Sequence, residues 1–203
     1  MAAGRKLPRE FYLVDAVTLA RRLLGKILVH RSPEGVTSGL IVETEAYMGI
    51  QDKASHAYGG RRTKRNEVMY LEGGHAYIYL NYGVHHLLNV VAGPRDVPMA
   101  VLIRAVEPLE GVELMARRRG IKLDDKSLYK LCNGPGKLTK AMGISMSLNG
   151  EDLTGDRLYI VDSDEVPDKI VSTRRIGVDY AEEYALKPWR FYIAGSRYVS
   201  RIG

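Results

Sequence analysis

Apolar and polar positions change period several times along the chain, and each change marks an element. Val17, Leu19, Ala20, Leu23 and Leu24 recur at helical spacing behind Asp15, a residue type that caps helix N-termini, and Gly25 stands where such a helix ends. Lys26 to His30 reads as a short strand, Ser32-Pro33-Glu34-Gly35 as a turn and Thr37 to Tyr47 as a second strand. Residues 49–68 have no period; they are polar, with glycine and arginine, and read as a long loop with room for a short helix. A loop of that length inside a compact chain is more often functional than idle. From Ala76 to Leu80 the period is two, with Tyr77 and Tyr79 on one face and Ile78 and Leu80 on the other. Asn81-Tyr82-Gly83 then predicts a hairpin turn, and Val84 to Val91 the returning strand. Met99 to Ala105 is a further strand, followed by a helix that begins at Pro108 and ends at Gly120. Gly134-Pro135 opens another helix through Leu138 and Met142, and strands follow around Arg157 to Val161, Ile170 to Ile176 and Arg190 to Ala194.

Strands with interspersed helices, but no strict βαβ alternation, predict an α+β fold with a mostly antiparallel sheet and a protruding hairpin. No repeat or linker divides the chain, so residues 1–203 read as one domain with a polar, loose opening at 1–10.

Composition narrows the class. With 45% apolar and 27% charged residues the chain has the makings of a folded core. The single cysteine, Cys132, excludes a disulfide framework and a multi-thiolate zinc site, and reads as a small core residue. No run approaches the roughly 18–20 apolar residues that span a bilayer. The start, MAAGRKLPRE, lacks the apolar centre of a secretory signal, so a reducing cytoplasm is the expected setting. A net charge of +6 suits a polyanionic partner without demanding one.

The candidate chemistry lies between residues 43 and 89. Glu43, Glu45 and Tyr47 share a strand face, with Val42, Thr44 and Ala46 opposite to meet a core. Six of the thirteen tyrosines (Tyr47, Tyr58, Tyr70, Tyr77, Tyr79 and Tyr82) fall within this stretch, alongside His56. Aromatic faces beside a carboxylate suit a flat ligand, and stacking is worth about 1–3 kcal/mol per base; half-buried sheet tyrosines would give the same composition. Arg61, Arg62, Lys64 and Arg65 form a basic run placed to hold phosphates. Gly134-Pro135-Gly136-Lys137 offers a second anion site at a helix start. Tyr82 at a hairpin tip has the character of a wedge that unstacks a base step. His75, His85 and His86 show no metal-ligand spacing, and His85 and His86, being adjacent, face opposite sides of a strand, so no metal is expected. Dinucleotide, Walker-type and nucleophile-elbow signatures are absent from the sequence.

VETEAY at 42–47, His56, GGRRTKRN at 59–66, YIYLNYG at 77–83, Asn89, LIRAVEPLEG at 102–111, LCNGPGKLTKAM at 131–142, RIGV at 175–178 and KPWRFYIAGS at 187–196 stand in one order. Together they resemble the alkyladenine (3-methyladenine) DNA glycosylase family, of the single-domain type also found in mammals. The resemblance implies a curved antiparallel sheet, no cofactor, and a monomer acting on double-stranded DNA that carries damaged purines. It implies that Glu45 is the general base, that Arg104 and the backbone carbonyl of Ile176 hold the attacking water, and that Tyr47, His56 and Tyr79 sandwich the flipped base. Tyr82 corresponds to the wedge, and Asn89 to a pocket-floor residue that disfavours the 2-amino group of guanine. With no lysine called for as a Schiff-base nucleophile, the expected product is an abasic site without strand cleavage. Such an enzyme is expected at the nucleoid of a bacterium or in a eukaryotic nucleus, away from membranes. Two other classes remain open from the residues alone: a non-catalytic nucleic-acid binder, and a metal-dependent hydrolase built on Glu43, Glu45 and the histidines.

Overall fold

The structure is a computed structural model that describes residues 4–124, 126–163 and 166–203. Its organising element is β2 (Gly35–Tyr47), a thirteen-residue strand buried along most of its length. The first half of β2 pairs with β1 (Ile27–Ser32) and its last part with β8 (Arg190–Ile193). On its other side β2 pairs with β5 (Met99–Glu110). The sheet runs β3-β4-β5-β2-β1-β6, with β3 (Ala76–Asn81), β4 (His85–Ala92) and β6 (Leu158–Val161) completing the path and β7 (Ile170–Thr173) joined to β8. Every one of these pairings is antiparallel, as the α+β reading requires.

Helices cover one face. In α2 (Ala16–Leu23) the Asp15 carboxylate accepts the Thr18 amide at 3.0 Å, satisfying an amide that has no partner within the helix. Ala16, Leu19, Ala20 and Leu23, spaced three and four apart, turn inward from α2. They pack with Met115 of α3 (Val112–Arg119) and with Leu138 and Met142 of α4 (Pro135–Met142) against Ile41, Ile78, Leu88, Val101 and Ile103 of the sheet. Cys132 lies in this core, and its burial pushes the thiol up to about 12. The alternate residues Tyr77, Val91 and Ala100 face the other way and form a second cluster with Ala57, Met69 and Tyr70. That second face carries the site.

Four differences from the sequence reading have local causes. Pro108 does not start a helix: it lies inside β5 opposite Gly39, beside a register shift, where a strand tolerates a residue without an N–H. The helix waits for Gly111, whose φ of 74° ends the strand. Val42 does not join Thr44 and Ala46 against the core but packs with Leu40 and Ala105. Successive register shifts between Ile41/Glu43 and Glu43/Thr44 break the alternation there. The strand expected to reach Ile176 stops at Thr173, because Arg175 is drawn off the sheet into a buried ion pair with Asp52. Finally, the opening segment is tied down from Lys6 onward, where Leu7 is buried and α1 (Arg9–Tyr12) begins with an arginine paired to Asp152.

Candidate active site

The bulges between β2 and β5 lie beside two buried carboxylates. Glu45, at 0% exposure, is met by the Tyr47 hydroxyl at 2.9 Å, the Ile176 amide at 2.8 Å and Arg104 Nη1 at 3.3 Å. Arg104, itself buried, reaches Glu43 through Nε at 3.0 Å. Burial alone would lower the Arg104 guanidinium, but the charges of Glu45 and Glu43 outweigh it and hold the group above its ordinary value. Tyr47 is raised well above 10, first by burial and then by the charge of Glu45, so it stays a phenol and donates. Ile176 meets Glu45 through its amide, a contact separate from the one to water that the resemblance implies for its carbonyl.

Tyr47, Arg104 and Ile176 also line a cavity of about 270 Å³, so Glu45 lies directly behind its lining. His56, Tyr79, Asn89 and Tyr82 line the same cavity. Tyr47 packs with Ala54, Val178 and Ala181. Tyr79 packs with the Met69–Tyr77 cluster, so the cavity separates two distinct packing units. His56 meets Tyr79 edge-on with ring centroids 4.6 Å apart, and its Nδ1 lies 2.8 Å from the Tyr77 hydroxyl. Burial, followed by Arg65 and Arg61, pushes the His56 imidazole below its ordinary value. Burial and the charge of Glu45 push Tyr79 up to about 12. Asn89 is buried and donates to the Tyr77 carbonyl at 3.1 Å.

The loop of 49–68 contains short 3-10 turns at Gly49–Gln51 and Tyr58–Gly60, and side chains tie it together. Asn66, buried, donates to the carbonyls of His56 and Arg61 at 3.0 and 2.8 Å and accepts the Thr63 amide at 2.7 Å. That brings His56 to the cavity and turns the basic run outward. The four cations of the run differ in their roles. Arg62 is paired with Glu67 and Asp96 and covers the Tyr70 ring at 4.4 Å. Arg65 lies 5.7 Å above the Tyr79 ring, while Arg61 and Lys64 have exposed side chains. Lys137 donates to Asn133 at 2.9 Å and borders, with Arg119 and Lys140, a separate recess at the foot of the hairpin.

Tyr82 occupies the tip of the β3–β4 hairpin at 92% exposure. The Val84 amide donates to the Asn81 carbonyl at 3.1 Å, with Tyr82 and Gly83 between them at φ values of 50° and 70°. Asn-Gly or Asp-Gly is the relaxed choice for such a turn, so a tyrosine there carries strain. The histidines are dispersed. The ring of His85 packs on Gly136, and Nδ1 of His75 bonds the Glu72 carbonyl. Among the described residues no group of three or more histidine, cysteine or acidic side chains is placed to hold a metal ion.

Sequence reasoning gave no role to Asp52, Arg175, Arg190 and Ser200, all of which support this site. Arg175 stood inside the RIGV block, so its neighbourhood was marked; Asp52 and Ser200 carried no signal, because their partners are distant in sequence.

Comparison with known proteins shows the family. The family of "Methylpurine-DNA glycosylase (MPG)" matches the chain over residues 10–197. A Desulfitobacterium hafniense protein named "Putative 3-methyladenine DNA glycosylase" is 51% identical over 200 residues, covering 97% of this chain and 98% of its own. Proteins of the same name from Clostridium acetobutylicum and Bacillus subtilis are 51% and 50% identical, each across at least 96% of both chains. The chain belongs to the methylpurine-DNA glycosylase family. It is accordingly a DNA glycosylase, an enzyme of DNA repair.

Proposed function

We propose that this enzyme flips alkylated or deaminated purines, 3-methyladenine foremost, out of duplex DNA and hydrolyses the N-glycosidic bond with water activated by Glu45. The observation that carries this reading is the placement of one buried carboxylate behind an aromatic cavity, with an exposed tyrosine at the adjoining hairpin tip. A base in a duplex is out of reach of any pocket, so it must leave the stack, and Tyr82 is positioned to fill the gap. In the cavity the base stacks between Tyr47 on one wall and His56 with Tyr79 on the other. An N3- or N7-alkylated purine is cationic, and electron-rich tyrosine faces favour a cation by about 0.5–2 kcal/mol per contact. Asn89 acts at the cavity floor against the 2-amino group of guanine.

Cationic purines are good leaving groups, which reduces the chemical task to recognition and delivery of water. Glu45 takes the proton from that water, an effect typically worth about 10²–10⁴-fold. Arg104 and the backbone at Ile176 position it, and the carboxylate charge steadies the oxocarbenium-like sugar. No lysine attacks the sugar, so the enzyme is monofunctional and leaves an abasic site; in this reading it acts as a monomer. Release of free 3-methyladenine from methylated duplex DNA tests the reading. Wild type is expected to release it and Glu45→Gln to do so at least 100-fold more slowly; equal rates would refute the role of Glu45.

A further inference from the structure

The second buried carboxylate has no part in the reaction just described, yet it is the better-fixed of the two. Glu43, at 0% exposure, receives four hydrogen bonds. Its Oε1 accepts from Arg104 Nε at 3.0 Å, from Arg190 Nη1 at 2.9 Å and from the Ser200 hydroxyl at 2.9 Å. Its Oε2 accepts the Ser200 backbone amide at 2.6 Å. The donors come from β5, from β8 and from the segment beyond β8, so three separate parts of the chain converge on one side chain.

We propose that Glu43 is a positioning residue for the glycosylase reaction, which fixes the Arg104 guanidinium so that Nη1 is turned to Glu45, and that Ser200 fixes Glu43 in turn. The proposal rests on the reading of Glu45 as the base. A guanidinium is planar, so holding its Nε toward one acceptor sets the plane and the direction of both remaining nitrogens. With Nε on Glu43, Nη1 falls 3.3 Å from Glu45 and Nη2 falls 3.3 Å from the Ser200 hydroxyl. Ser200 and Arg201 thereby support the active site: Arg190, the other cation on Glu43, is held by the Arg201 carbonyl at 2.7 Å.

Charge supplies a second consequence. Glu43 and Glu45 are balanced by Arg104 from β5 and Arg190 from β8. The other groups facing Glu45 are the Tyr47 hydroxyl, the Ile176 amide and the more distant phenols of Tyr79 and Tyr180. All of these are uncharged at neutral pH. Neutralising Glu43 leaves two cations around one carboxylate, which favours the ionised form of Glu45 and weakens it as a base.

Single-turnover excision from methylated duplex DNA, measured across pH with the full chain, tests the proposal. Glu43→Gln is expected to move the acid limb of the profile down, as loss of a neighbouring negative charge does, and to lower the plateau about tenfold or more. Glu43→Asp keeps the charge but shortens the reach to Arg104 Nε, so the limb returns toward wild type while the plateau stays low. Ser200→Ala removes one hydrogen bond to Glu43 and one to Arg104, and is expected to lower the plateau a few-fold with an unmoved limb. Urea unfolding of each variant identifies any that fail to fold; should Glu43→Gln be one, the Asp and Ala variants carry the test. Folded variants with wild-type plateaus and unmoved limbs would overturn the role of Glu43. A wild-type rate in Glu45→Gln would instead remove the reading on which the proposal stands.

Discussion

Asp52 and Arg175, 123 residues apart in the chain, are joined by two parallel hydrogen bonds of 2.6 and 2.9 Å with both side chains fully buried. Each also organises backbone around it. Asp52 accepts the amides of Met48 and Ala54 at 3.0 Å. Arg175 donates to the carbonyls of Ala46 and Tyr184 at 3.0 and 3.1 Å and lies 4.8 Å from the centre of the Tyr47 ring. The pair therefore locks the end of β2, the start of the long loop and the segment whose next residue, Ile176, donates to Glu45.

Breaking this pair on one side leaves a buried charge uncompensated. Arg175→Met is expected to lower stability by about 3–5 kcal/mol in urea unfolding. Pairing it with Asp52→Leu should recover much of that deficit, since two apolar side chains leave no orphaned charge. Excision should stay low in the double variant, because the Ile176 amide loses its anchor.

The hairpin tip allows stability and activity to be separated. Tyr82 holds a positive φ of 50° that glycine adopts without strain. Tyr82→Gly should leave stability within about 1 kcal/mol of wild type, as the relief of strain and the added chain entropy oppose each other. Excision from duplex DNA should fall far more than excision from single strands. An equal drop on both substrates would show that the tyrosine does not serve unstacking.

The basic loop should divide by salt dependence. Removing a cation that binds one phosphate reduces the slope of log K against log salt by about 0.9 for duplex DNA. Lys64→Ala and Arg61→Ala should each flatten the slope by about that amount. Arg62→Ala should change it little, because Arg62 is already engaged by Glu67 and Asp96. Fluorescence anisotropy with a labelled duplex at several salt concentrations distinguishes these outcomes.

Acid should weaken the fold in a window set by two imidazoles. Burial pushes His30 below its ordinary value, and His56 is lowered by burial and by Arg65 and Arg61. The unfolded chain then takes up protons near the ordinary imidazole value of about 6.5, while the folded chain resists. Stability from these groups is complete above that value and is lost as pH falls toward the lowered folded values. Urea unfolding at pH 7.5 and 5.5 should show the decline. His30→Gln, which gives up the 2.7 Å hydrogen bond to the Met142 carbonyl, should be less stable at pH 7.5 and less sensitive to acid.

Local periodicity carried the helices and strands well where one face meets the core. Ile78 and Tyr77 go to opposite faces as alternation requires, and Asp15 caps α2 as its residue type requires. The reading failed where a partner distant in sequence outweighed local preference. Pro108 has the chemistry of a helix start, but pairing with Gly39 holds it in a strand. Ile176 follows a β-rich run, but Asp52 pulls Arg175 and its neighbour out of the sheet.

Sequence by itself determined the family, the residue types of the cavity and the position of Tyr82 at a turn, because these rest on ordered motifs and short-range geometry. Tertiary structure alone decided how each charge is partnered and buried. Glu43 and Glu45 are two residues apart and look alike in the sequence, yet one is saturated by Arg104, Arg190 and Ser200 and the other lies directly behind the cavity. Likewise Arg62 and Lys64 read as equals until Glu67 and Asp96 are seen to engage the first. The physical reason is common to both cases: the electrostatic role of a charged group is set by its partners and its burial, and both are assembled from residues far apart along the chain.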